Sequence, residues 1–111
     1  MRFEDAENKV IAFRDDRDWL QFHNPKDLAI SISLEAAELL EVFQWSGTDL
    51  SACDKKDRMV EELADVLIYC VLLADRLGVD VPQIISDKVD TNAEKYPVEK
   101  AKGNSQKYSA L

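Results

Sequence analysis

Histidine and cysteine are nearly missing from this 111-residue chain: it has one histidine, His23, and two cysteines, Cys53 and Cys70. The cysteines are far apart with no CxxC spacing, which argues against a thiolate metal site and against a disulfide framework. Within "LIYCVLLA" Cys70 reads as a small core residue. Glycine and proline are scarce, three of each, and fall between periodic segments. No uninterrupted apolar run approaches the roughly 20 residues needed to span a bilayer. The opening "MRFEDAENKV" is polar and acidic, so no secretory signal is expected there and the expected compartment is the cytoplasm. Positive charge is also short, with 14 Lys and Arg against 22 Asp and Glu, a formal net charge of −8. Such a surface repels nucleic-acid polymers and anionic membranes. It leaves room for a small phosphorylated ligand, because a bound divalent cation reverses the local field.

What remains is an ordinary globular composition, 46% hydrophobic and 32% charged. The length favours one domain with a modest core. A first helix is expected from about Glu4 to Gln21, with Val10, Ile11, Phe13 and Leu20 among its apolar positions. "HNPKD" breaks it, with Asn24 as a cap and Pro25 at the first position of a second helix running to about Trp45. Leu28, Ile30, Ile32 and Leu34 alternate like a strand, yet "EAAELLE" follows without a turn signal and consists of strong helix formers. The helical reading is taken. After the loop "SGTDLSACD", Asp54 is expected to cap a third helix that ends near Leu77, with Gly78 as its stop. "DVP" opens a fourth, reaching about Lys95. The expected organisation is a compact all-α bundle of four main helices over residues 1–96, followed by a polar, extended arm over 97–111.

The second helix carries Glu35, Glu38 and Glu41 at three-residue steps, where like charges repel. The third repeats the pattern with Glu61, Glu62 and Asp65. At roughly 100° per residue, Glu35 falls among Leu28, Leu39 and Val42, and Glu62 among Tyr69, Leu73 and Val66. Glu61 falls further out, towards solvent. A glutamate-rich helix most often presents a solvated face; two acidic pairs inside apolar stripes on successive helices do not fit that pattern. Carboxylates buried together protonate or destabilise the fold unless a cation neutralises them. All-oxygen ligands suit Mg²⁺ or Mn²⁺. A diiron-carboxylate bundle needs Glu-x-x-His pairs, which a chain with one histidine cannot supply. The second helix is apolar on its other faces too, so burial against further copies of the chain is expected.

"LEAAE" followed by "EELAD" resembles the MazG-like all-α nucleotide pyrophosphohydrolases, whose signature is Glu-x-x-Glu on one helix and Glu-x-x-Asp on the next. "FRDDRDWLQFHNPKDLA", "ELLEVFQW", "EELADVLIYCVLLADRLGVDVP" and "DKVDTNAEKYP" are similar to segments of its dCTP pyrophosphatase branch, in the same order. The resemblance runs from about Phe13 to Tyr108. It implies Mg²⁺-dependent hydrolysis of a nucleoside triphosphate between the α and β phosphates, on dCTP or related dNTPs, for nucleotide-pool cleaning. It implies Glu35, Glu38, Glu62 and Asp65 as metal ligands, with one of them as general base. Trp19, His23 and Trp45 match positions around the base, although both tryptophans also suit a core or interface. Lys88 and Asn92 match nucleotide-contacting positions. Tyr69, one turn beyond Asp65, is a further candidate for the sugar or a phosphate, and Lys95 for a phosphate. The branch implies a dimer or a tetramer of paired dimers, with sites that borrow residues from a neighbouring subunit. Leu34 stands where many relatives carry an extra glutamate, and the loop from Ser46 to Asp54 is short. The rival expectations are a dUTPase-type activity of the same superfamily and a non-catalytic helical interaction module.

Overall fold

A computed structural model describes every residue from Met1 to Leu111, in helices and turns with no strand. The main elements are α1 (Phe3–Asp16), α2 (Pro25–Glu41), α3 (Lys56–Leu77) and α4 (Val81–Lys95), followed by the single-turn α5 (Val98–Ala101). Short 3-10 turns occupy Leu20–Phe22, Cys53–Lys55 and Tyr108–Ala110. No helix is long and apolar enough to cross a membrane.

The helix starts follow local chemistry. Asn24 caps α2 by accepting a hydrogen bond from the Asp27 amide at 2.8 Å, and Pro25 sits where no amide bond is needed. Asp80 caps α4 in the same way, accepting from the Gln83 amide at 3.0 Å. At the end of α3, Gly78 takes the left-handed conformation (φ 68°) that a side chain disfavours, and this turns the chain out of the helix.

Several boundaries differ from the sequence expectation. The first helix stops at Asp16 rather than Gln21, because Asp18 is left-handed (φ 53°) and the Trp19 amide turns back to the Arg14 carbonyl. α2 stops at Glu41 rather than Trp45: the amides of Phe43 and Gln44 bond three residues back instead of four, and a chain of tight turns follows. Lys55 reaches back to donate to the Val42 carbonyl at 3.4 Å, placing a cation at the negative end of α2. Asp54 does not cap α3; it lies inside the preceding 3-10 turn, and Lys55 flanks the helix start without a side-chain cap. The segment after Pro97 is not extended throughout, since it holds α5 and the 3-10 turn at Tyr108–Ala110.

The chain divides into two units, Met1–Gly78 and Val79–Leu111. In the first, α3 is the central element, with α2 and α1 both packed against it. Its core is small: Leu28, Val42, Ala52, Val71, Leu72 and Ala74 are the buried apolar residues. Arg14 is the one buried charged residue, 4% exposed. Large apolar side chains remain in solvent on the outer faces, including Leu34 and Leu40 on α2 and Val60, Leu63 and Leu67 on α3. In the second unit Tyr96 meets Tyr108 edge to face at 6.0 Å, and the Lys95 ammonium lies 5.1 Å from the Tyr108 ring. These contacts hold the final turn to the end of α4.

Leu28, 1% exposed, is a sensitive point of the first unit. Leu28→Ala is expected to cost about 3 kcal/mol, measured as a lower midpoint in urea unfolding, because it removes transfer energy and leaves a cavity.

Candidate active site

The seam between α2 and α3 holds the acidic pairs. α2 places Glu35 and Glu38 one turn apart, and α3 places Glu62 and Asp65 likewise. One carboxylate oxygen from each of the four residues lies within 4.8 Å of all the others. Glu35 and Glu62 are half-buried, and Glu61 and Glu41 are exposed. Glu41 instead lies 3.7 Å from the Arg58 guanidinium at the surface.

Four carboxylates so close cannot all keep their ordinary acidity. Burial pushes the Glu35 carboxyl up, helped by hydrogen bonding to Glu38 and by the charges of Glu38, Asp65 and Glu62. Burial likewise pushes Glu62 up, with hydrogen bonding to Glu38 and the charges of Glu38 and Asp65 adding to it, while Arg58 opposes the shift. Glu38 is the shared partner, joining a residue of its own helix to one of α3.

The residues present fit a divalent cation by two observations. The donor set is all oxygen, the preference of hard cations. In addition, Glu35 Oε2 and Glu62 Oε2 are buried without any hydrogen-bond partner. Buried polar atoms are normally satisfied, so two orphaned oxygens facing one cluster mark a place for a ligand that accepts their lone pairs.

A cavity of about 520 Å³ opens beside the cluster. Glu35 and Asp65 form part of its wall, so the acidic oxygens and the cavity belong to one site. α1 contributes Val10, Phe13 and Arg14, the turn after it Trp19 and His23, and α3 Ile68, Tyr69 and Leu72. Trp19 meets Phe13 edge to face at 5.6 Å, and the Arg17 guanidinium stacks 3.6 Å over Phe13. The wall is thus largely apolar and aromatic, the kind of surface that takes a flat ring. His23 Nδ1 is buried and unpartnered. Burial holds the imidazole below its usual range, and the charges of Arg14 and Arg76 lower it further.

The structure therefore brings together Glu35, Glu38, Glu62 and Asp65, and gathers Trp19, His23 and Tyr69 in the adjoining cavity. Trp45 is not among the cavity residues; it lies in the turns after α2 with 85% of its surface exposed. Lys88, Asn92 and Lys95 belong to the second unit, on exposed turns of α4. Phe13 and Arg14 are among the cavity residues that the sequence expectation did not assign to the site. Phe13 could have been found from its place six residues before Trp19, but Arg14 gave no signal, since an arginine among apolar helix positions reads as solvated.

An all-helical chain with a four-carboxylate cradle beside an aromatic cavity defines a class of helical proteins built to hold a cation and a small ring-bearing ligand. A model of the MazG-like family matches residues 30–111, and the chain belongs to that family. It is 44% identical to mouse dCTP pyrophosphatase 1 and 39% identical to the human protein of that name, in each case over 97% of this chain. The chain spans 66% of the length of each, about two thirds. Among solved structures, a pyrophosphatase from Archaeoglobus fulgidus superposes with a TM-score of 0.77 at 42% identity, covering 85% of this chain and 91% of that one.

The raised carboxyls carry a signed consequence. Folded Glu35 and Glu62 bind protons more tightly than in the unfolded chain, where the ordinary value is 4.5. Their contribution to stability is therefore fully present below that value and is lost as pH rises through the folded pKa values. In EDTA at neutral pH, Glu35→Gln/Glu62→Gln is expected to melt higher than wild type, and the gap to shrink on acidification. Mg²⁺ is expected to raise the melting temperature of wild type only, as read by differential scanning fluorimetry.

Proposed function

We propose that this protein is a Mg²⁺-dependent nucleoside triphosphate pyrophosphohydrolase that cleaves dCTP or a related dNTP to the monophosphate and pyrophosphate, in nucleotide-pool cleaning in the cytoplasm. The observation that carries the reading is the meeting of the four carboxylates at one edge of an aromatic cavity. The similarity to dCTP pyrophosphatase 1 over 97% of the chain supports the choice of substrate.

The division of labour follows from the residues. Glu35, Glu38, Glu62 and Asp65 would hold the metal, Mg²⁺ or Mn²⁺. When bound, the metal neutralises phosphate charge and lowers the cost of generating a nucleophilic hydroxide. Trp19 and Phe13 offer faces and edges for a base, and His23 offers a hydrogen bond to it. Tyr69, in the cavity wall one turn from Asp65, would meet the sugar or phosphate end. The apolar wall excludes bulk water, which strengthens every charge interaction inside. One carboxylate of the four, while ionised, takes the proton of the attacking water. The reading assigns nucleotide contacts to Trp45, Lys88, Asn92 and Lys95 as well, by resemblance alone.

The reading also includes self-assembly, as a dimer or a tetramer. The support is the amount of apolar surface left in solvent by one chain: Leu34 is 61% exposed, Leu40 71% and Val60 56%. Monomeric proteins rarely leave large side chains exposed along successive helix turns. The dUTPase alternative has no separate observation in its favour, and an interaction module would have no reason to keep unpartnered buried carboxylates.

Pyrophosphate release is to be measured across dNTPs and NTPs, with Mg²⁺ and with EDTA. Release is expected with Mg²⁺ alone and a pyrimidine preferred; silence across the panel from folded protein would overturn the reading. Glu38→Gln and Asp65→Asn are each expected to lower kcat by about a hundredfold or more with folding intact, the size of loss that follows when charge stabilisation of a few kcal/mol is removed. Leu63→Glu/Leu67→Glu on the outer face of α3 is expected to shift the mass measured by light scattering to the 12.6 kDa of a single chain.

A further inference from the structure

Arg14 is buried, charged and unexplained by the reading above. Its Nε donates to Asp15 Oδ1 at 2.9 Å and its Nη1 to Asp75 Oδ2 at 2.5 Å, so the guanidinium ties α1 to the last turns of α3. Burial by itself would lower the affinity of the guanidinium for its proton, but the bonds to Asp15 and Asp75 and their charges outweigh it and hold the pKa above its ordinary value. The cation is permanent and cannot swing away, because two carboxylates grip it from different helices.

The same side chain lines the cavity that His23 lines. His23 Nδ1 is the buried, unpartnered atom there. Neutral imidazole has one donor and one acceptor nitrogen, whereas imidazolium has two donors and no acceptor. The protonation state therefore decides what the cavity offers a ligand. Facing His23 around the same wall are Lys9 and Arg14 of α1, Glu35 of α2, and Asp65 and Tyr69 of α3, with Arg76 of α3 as a further cation. Glu35 and Asp65 would favour imidazolium, but both belong to the carboxylate cluster, whose charge a bound cation would offset. Burial of the imidazole first, and then the charges of Arg14 and Arg76, favour the neutral form.

We propose that Arg14 is a positioning residue for ligand specificity: gripped by Asp15 and Asp75, it fixes a cation in the cavity wall so that His23 meets the ligand as a neutral group with one acceptor nitrogen. Such a group selects a ring that presents an N–H or amino donor at that point. The proposal rests on the cavity being the nucleotide site.

His23 is the only histidine in the chain, so its imidazole resonances in NMR report one group without ambiguity. The experiment titrates them in Mg²⁺-containing buffer for wild type, Arg14→Met, Arg14→Lys and Asp75→Asn, alongside the pH profile of KM for dCTP. Arg14→Met is expected to raise the His23 midpoint, and to move the acid limb of the KM profile in the same direction by the same amount. Arg14→Lys keeps the charge and is expected to stay near wild type. Asp75→Asn leaves the guanidinium with one carboxylate fewer, and is expected to lower the midpoint. If Arg14→Met does not fold, the Asp75→Asn shift decides. An unchanged midpoint in the folded variants overturns the proposal, and so does a midpoint that moves without the KM profile. Failure of the underlying substrate reading is recognised differently, as no pyrophosphate release from any triphosphate at any pH, and it would remove the ligand on which the role depends.

Discussion

Mutual repulsion among four carboxylates at the α2–α3 seam is the constraint on which this molecule turns. Two helices that pack to form most of the first unit also press Glu35, Glu38, Glu62 and Asp65 to within 4.8 Å of one another. The core available to oppose that repulsion is small, with only six buried apolar side chains. A fold so poor in internal burial cannot comfortably hold several uncompensated charges, since net stability is a small difference between large terms. Without a metal, burial and that repulsion raise the proton affinity of Glu35 and Glu62. Binding of a cation relieves the repulsion without surrendering the ionised carboxylates that phosphate chemistry needs. Ligand binding and fold stability are thereby coupled through the same oxygens.

Charge of the opposite sign is used sparingly and away from that seam. Arg14 is sunk between α1 and α3 and held by Asp15 and Asp75, so it braces the cavity wall without pairing with the acidic cluster. Lys55 closes the C-terminal end of α2, and Arg58 reaches Glu41 at the rim rather than the four inner carboxylates. The acidic centre is left to a mobile cation. Phe13 and Trp19 give the wall beside it an uncharged aromatic surface, and His23 adds an unpartnered ring nitrogen to it.

The exposed apolar side chains of α2 and α3 are the other face of the small core. A helix with Glu35 turned inward and Leu34 and Leu40 turned outward has spent part of its inner face on chemistry. Its outer face then becomes the surface from which further stability must come, and hydrophobic burial between copies is the cheapest source. The inward carboxylates and the outward apolar side chains are two consequences of one allocation of residues.

Much of this could be read before any coordinates. Helical periodicity, the Asn24–Pro25 start, the Gly78 stop and the two acidic spacings are local signals, because they depend on residues within one or two turns of each other. Their chemistry fixes α2, α3 and α4 and points to an oxygen-ligated cation. What the sequence could not determine were features set by contacts between distant segments. The early stop of α1 depends on a left-handed Asp18, a state open to aspartate but not demanded by it. The exposure of Trp45 depends on a string of tight turns that no pattern announces. The burial of Arg14 depends on Asp75, 61 residues along the chain, arriving from α3 to meet it. The sequence by itself determined which helices form and which residues carry the acid chemistry. Only the tertiary structure decided which of them share a wall, because charge, burial and orphaned hydrogen-bonding atoms acquire meaning only when separate helices are brought together.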